Sequence, residues 1–166
     1  PSDFFGEEFA PEKAVAEALL KTSGIKGGFC VQIGVIDGKL IAELGRGGTF
    51  LAHGLTTDQV VLEKARTYIQ EQKLYGQVSV EYSALAKLPY TDNLINLVII
   101  ENFPELEKKG LSLAEAMRVI CPKGVALLNG IGLSVATVKG KLAATDFKDA
   151  EITAANNGWV KIVKPR

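Results

Sequence analysis

A chain of 166 residues, 47% of them apolar, is long enough to bury a real core and is expected to form one domain over residues 1–166, with 1–10 as an N-terminal arm. Lysine plus arginine equal aspartate plus glutamate at 19 each, which excludes a nucleic-acid or membrane-surface protein driven by charge. No apolar run nears the roughly 20 residues that span a membrane, and two cysteines without CxxC spacing build neither a disulfide framework nor a zinc site.

The start at Pro1-Ser2, without methionine or a readable signal peptide, is expected of a processed or trimmed chain. The aromatic arm with Phe4, Phe5 and Phe9 is expected to pack on the domain or on a neighbour. Pro11 suits a first helical turn, Val15, Ala18 and Leu19 mark one helix face, and Gly24 ends it. Phe29 to Ile33 then read as strand one, apolar as befits a parallel strand covered on both faces. Gln32 interrupts the run, so its amide either bonds loop backbone or faces a cleft. Asp37 is expected to cap the next helix, striped by Leu40, Ile41 and Leu44.

Thr49 to Leu55 read as strand two. Thr57 or Asp58 caps a helix carrying Val61, Ala65, Tyr68 and Ile69 at helical spacing. Gln77 to Tyr82 alternate as strand three, and Leu94 to Ile100 form strand four. Ser112-Leu113-Ala114-Glu115 is a capping box opening a helix with Met117, Val119 and Ile120. Val125 to Leu128 give strand five, Ser134 to Ala143 a further helix, and Ala150 to Thr153 with Trp159 to Val163 a terminal pair. Asn157-Gly158 joins that pair as a hairpin, because both residues tolerate positive φ. Strands one to five alternate with helices, so they should run parallel, and the last pair antiparallel.

Several segments resemble, in order, the class I S-adenosylmethionine-dependent methyltransferases. Cys30 to Gly38 is similar to the family's first motif, an acidic residue followed by Gly-x-Gly-x-Gly. His53 to Arg66, Leu88-Pro89-Tyr90 before Asn96-Leu97-Val98, and Ala114 to Gly124 resemble three later segments. The resemblance covers about residues 25 to 166. It implies an α/β, Rossmann-like seven-stranded sheet ordered 3-2-1-4-5-7-6, with strand seven antiparallel and helices on both faces. The chain also resembles methyltransferase-like domains at the front of exported bacterial β-propeller proteins, which implies an exported or periplasmic place.

The same resemblance assigns the cofactor positions to Gln32, Gly34, Ile36, Gly38, Thr56, Thr57, Ala84 and Glu101. Several carry substitutions. Gln32 stands for the strand-one acid and Ile36 for the middle glycine, where a β-branched side chain is expected to intrude and to resist positive φ. Thr56 stands for the carboxylate that holds the ribose hydroxyls, and Ala84 for the acid near the adenine amine. Losing two hydrogen bonds to charged groups should cost roughly 3–6 kcal/mol. That is about a hundredfold to more than ten-thousandfold in affinity.

No catalytic residue, no metal and no bound cofactor are therefore expected. The expected role is a non-catalytic binding or assembly module, met by a protein partner or by self-association, without nucleic acid or membrane insertion. The alternative is an active methyltransferase using S-adenosylmethionine in an atypical pocket, with Glu101-Asn102-Phe103-Pro104 lining it; methyl transfer depends mainly on alignment. A nicotinamide dehydrogenase fits worse, since GxGxxG needs glycine at Ile36 and Lys39. His53 lies at an expected cleft edge but is read as structural. Cys30 and Cys121 are read as small buried hydrophobes, and Trp159 as packing for the hairpin.

Overall fold

The computed structural model describes residues 11–166, and the expected aromatic arm at 1–10 lies outside the described residues. The elements are α1 (Pro11–Ser23), β1 (Gly28–Ile33), α2 (Lys39–Arg46), β2 (Phe50–Thr56), α3 (Gln59–Glu71), β3 (Val78–Tyr82) and β4 (Ile95–Ile100). They are followed by α4 (Phe103–Lys108), α5 (Leu113–Val119), β5 (Ile120–Leu128), α6 (Val135–Leu142), β6 (Glu151–Ala154) and β7 (Val160–Val163).

The strands form one seven-stranded sheet in the order β3-β2-β1-β4-β5-β7-β6. β1 pairs in parallel with β2 and β4, β2 with β3, and β4 with β5. β7 runs antiparallel to both β5 and β6. Fold class and strand order are those expected.

Alternation along the strands divides the core in two. Val31 and Ile33 of β1, with Val98 and Ile100 of β4, face a layer built from α4, α5 and α6. Cys30, Leu97 and Ile99 face the opposite layer, where α1, α2 and α3 supply Ala16, Leu19, Ile41, Leu44, Ala65 and Ile69. Both faces are covered, which explains the near-continuous apolar runs in the central strands. Gln32 follows the register of Cys30, so its amide enters the α1–α3 layer.

Local punctuation mostly follows the expected chemistry. Gly24 leaves α1 at φ +71°, and Asn157-Gly158 take φ +61° and +81° in the turn between β6 and β7. Asp58 caps α3 through Val60 N and Val61 N, and Ser134 with Thr137 closes a capping box on α6. Four details differ. Gly38, at φ +83°, is the N-cap of α2, while Asp37 accepts only from Lys39 N. Ser112 does accept from Glu115 N, but the Glu115 carboxylate turns to Leu88 N and Arg118 instead of closing the box. β5 begins at Ile120 rather than Val125, because a register shift opposite β4 admits Lys123 at φ +67°. Finally α4, opened by Pro104 in its first turn, follows β4 where no helix was expected.

Candidate functional site

Parallel sheets place ligands beyond the carboxyl ends of their strands, where the chain order reverses. Here that point lies beside β1 and β4, and two adjoining cavities open there. The larger, about 290 Å³, is lined in part by Gly34, Ile36, Thr56, Thr57, Asp58, Glu101 and Leu106. The smaller, about 120 Å³, lies under α1 and the start of α2, with Glu12, Gln32, Ile36, Asp37 and Glu101 in its wall. Ile36 and Glu101 border both. Small-molecule sites occupy roughly 300–1,000 Å³, so the larger cavity stands at their lower limit.

The structure brings together six of the eight residues assigned by the resemblance: Gln32, Gly34, Ile36, Thr56, Thr57 and Glu101. Gly38 lines neither cavity. A Cβ there would come within 2.9 Å of Ala65 Cα, so this glycine lets α2 start against α3. Ala84 is exposed and outside both linings, and its neighbour Leu85 enters the larger one.

Gly34 holds φ +92°, and a Cβ on it would meet Leu106 Cδ1 at 2.6 Å. Leu106 of α4 thus packs against the turn at Gly34. The turn is also pulled down on the sheet: Gly34 N and Val35 N both donate to Leu55 O. Val35 packs over Gly54, where a Cβ would lie 2.5 Å from Val35 Cγ2.

One expectation about Ile36 is corrected. Its φ is not positive, in line with the resistance expected of a β-branched residue. Its side chain, however, does not intrude into the hollow; it is 71% exposed and stands as the ridge between the cavities. Thr56, which the resemblance assigns to the ribose position, is 3% exposed, and its Oγ1 accepts from Asp58 N at 3.2 Å. Asp58 Oδ1 is in turn occupied by the first turn of α3.

Gln32 is 2% exposed, and its Oε1 has no hydrogen-bond partner. Of the two expectations for this amide, the cleft-facing one describes it. Burial, then Asp37 and Glu12, raise the Glu101 carboxyl above its ordinary range. No basic group lowers it.

His53 lines neither cavity. It bonds Tyr90 Oη through Nδ1 and stacks on Phe29, and burial lowers its pKa. Its structural role holds, but it does not sit at the cleft edge. Cys30 is buried with its thiol pushed up to about 12, while Cys121 is half-buried and accepts from Asn96 Nδ2. Trp159 packs into the α1–α3 layer.

Sequence reasoning missed Leu106, Asp58 as a wall residue, and Glu12. Pro104 followed by Glu105-Leu106-Glu107-Lys108 carries a helix-start signal that would have revealed α4. Glu12 carries no local signal, since only the packing of α1 against α2 and β5 brings it to the cleft.

No family model matches the chain, and no curated protein matches it in sequence. Solved structures do. The chain is similar to a proposed S-adenosyl-L-methionine-dependent methyltransferase from Methanococcus maripaludis, at 19% identity and TM-score 0.82, over 99% of this chain and 91% of that one. It is similar to a SAM-dependent methyltransferase from Aquifex aeolicus, at 18% identity and TM-score 0.71, over 90% and 88%. It is also similar to geranyl diphosphate C-methyltransferase from Streptomyces coelicolor, in complex with Mg²⁺, geranyl diphosphate and S-adenosyl-L-homocysteine. There identity is 14% and the TM-score 0.68, over 93% and 79%. The fold is that of the class I S-adenosylmethionine-dependent methyltransferases. Among the described residues, no helix is long and apolar enough to cross a membrane.

Proposed function

We propose that this chain is a methyltransferase-fold domain that has lost its grip on S-adenosylmethionine and serves as a non-catalytic binding or assembly module. It requires no cofactor, works through a protein partner or a second copy of itself, and belongs to an exported bacterial protein.

The observation that carries this reading is Thr56. At the position that the resemblance gives to the ribose-binding carboxylate stands a buried threonine, whose uncharged hydroxyl already accepts one bond from Asp58 N. A neutral hydroxyl cannot bind a diol in the two-pronged way of a carboxylate. Leu106 against Gly34 and the exposed Ala84 point the same way. Together the losses account for roughly 3–6 kcal/mol of binding.

A second reading is favoured by one feature: the cleft is still open, with Glu101 at its centre. It is that of an active methyltransferase with an atypical pocket. Isothermal titration with S-adenosylmethionine and S-adenosylhomocysteine separates the two. The first reading expects no heat at micromolar concentrations; a micromolar Kd for either nucleoside overturns it in favour of the second.

A further inference from the structure

We propose that the smaller cavity, beneath the Ile36 ridge, is a binding site for a small primary ammonium ion that carries no carboxylate. This deepens the preceding reading and rests on it, since it gives the surviving half of the cleft a guest other than the methyl donor.

The polar side chains of this cavity, among the described residues, are three carboxyl groups and one amide presenting oxygen. Gln32 Oε1 is buried and unpartnered, and a buried acceptor without a donor is costly to keep. Glu12 from α1, Asp37 from the turn after β1, and Glu101 from the end of β4 share its cavity, and no basic side chain among the described residues lines the space. Asp37 Oδ1 accepts from Lys39 N, which leaves its second oxygen open. Burial first, and then the charges of Asp37 and Glu12, raise the Glu101 carboxyl, so a negative charge on Glu101 is disfavoured in this cavity. A guest that donates several N–H bonds and brings one positive charge relieves both defects at once.

The same charges select against a carboxylate. A methionine-like zwitterion would bring its anion among Glu12, Asp37 and Glu101, and the nearby Gly34 and Val35 N–H groups are spent on Leu55 O. Val15 and Leu40 provide an apolar wall for an alkyl chain. A volume of about 120 Å³ holds about four water-sized groups, enough for an ammonium head and about three carbons. Among the described residues no three His, Cys, Asp or Glu side chains converge tightly enough to hold a metal ion. The cage is wide, which suits N–H donors rather than short metal–oxygen bonds.

Calorimetric titration of the intact chain at neutral pH tests this with four probes: propylammonium chloride, tetramethylammonium chloride, methionine and S-adenosylmethionine. Propylammonium should bind with a Kd on the order of 1 mM. Tetramethylammonium, which has the charge but no N–H, and methionine, which adds the carboxylate, should each bind at least about tenfold more weakly. Gln32→Leu and Glu101→Gln should each weaken propylammonium about tenfold, in proteins whose circular dichroism spectra are unchanged.

Equal affinity for tetramethylammonium, full retention of binding by Gln32→Leu, or no propylammonium binding would each overturn the inference. Micromolar binding of S-adenosylmethionine overturns the loss-of-grip reading and this inference together. Silence from both S-adenosylmethionine and propylammonium overturns this inference alone.

Discussion

The two ends of the sheet handle charge in opposite ways. At the amino end of β4, Lys164 is buried and donates to Asn93 Oδ1, Met117 O, Arg118 O and Ile120 O at 2.7–3.4 Å. Beside it Arg118 bonds Glu115, Asp92 and the carbonyls of Leu88 and Tyr90, and Glu115 also accepts from Leu88 N. Each charge there is consumed by a neighbour. At the carboxyl end, Gln32 Oε1 is left without a partner, and Glu12, Asp37 and Glu101 line one cavity with no basic side chain among the described residues. A saturated network holds the fold and has nothing left to offer a guest. An unsaturated one costs stability and keeps its binding capacity.

The largest expected effect lies at the saturated end. Lys164→Met keeps the packing volume but removes the shared donor of Asn93 Oδ1 and three carbonyls, of which Met117 O and Arg118 O keep a backbone N–H, and should cost about 2–4 kcal/mol in urea denaturation. Lys161→Met, which loses a single bond to Thr22 O, should cost less than about 1 kcal/mol and serves as the control. Equal losses from the two would break the contrast, for then the Lys164 cluster would be no special anchor.

The unsaturated end predicts the opposite sign. Gln32→Leu removes an acceptor that the folded chain cannot satisfy, so the ligand-free protein should gain about 1 kcal/mol and a higher Tm. A loss of stability would mean that the amide is satisfied in solution, and the cleft would no longer differ in kind from the base.

The base was more legible in the sequence than the cleft, for a physical reason. Strand order, hairpin and caps follow from short-range patterns: apolar runs bounded by Gly34, Gly38 and Gly124, the Asn157-Gly158 turn, Ser112 and Ser134 as caps. Even so, Glu115 reads locally as a capping-box partner and is drawn off by Arg118, one helical turn away. The cleft is assembled from α1, β1, β2, β4 and α4, so its properties arise between segments. Gln32 was visible as an anomaly in an apolar strand, but its lack of a partner depends on Glu12 and Leu40 arriving from two different helices. Ile36 keeps off positive φ as its β-branched side chain leads one to expect, but it was expected to intrude on the hollow and the turn places it outward as a ridge. Leu106 escaped notice because α4 is only 6 residues long and carries few apolar positions to mark its period.

The finest test uses two glutamates, one at each end, that titrate in opposite directions. Glu115 is held below its ordinary value of 4.5, first by the Arg118 hydrogen bond and also by Leu88 N. Its contribution to stability is present above that value and disappears as pH falls through its folded pKa. Glu101 is raised above 4.5, first by burial and then by Asp37 and Glu12; Asp58, Glu105 and Lys109 are the other charged groups lining the adjoining cavity. The folded chain therefore keeps the Glu101 proton where the unfolded chain has lost it. Its contribution is full below 4.5 and declines as pH rises through the folded pKa. Denaturation midpoints from about pH 3 to 7 should show Glu115→Gln flattening the profile on the acid side and Glu101→Gln flattening it above, each by no more than about 1.4 kcal/mol per pH unit, the limit for one proton. Glu115→Gln also lowers the whole curve by weakening the Arg118 cluster, so the slope and not the level carries the comparison. If both variants flatten the same side, the two ends are electrostatically alike, and the cleft's lone carboxylates are neutralised by something other than a guest.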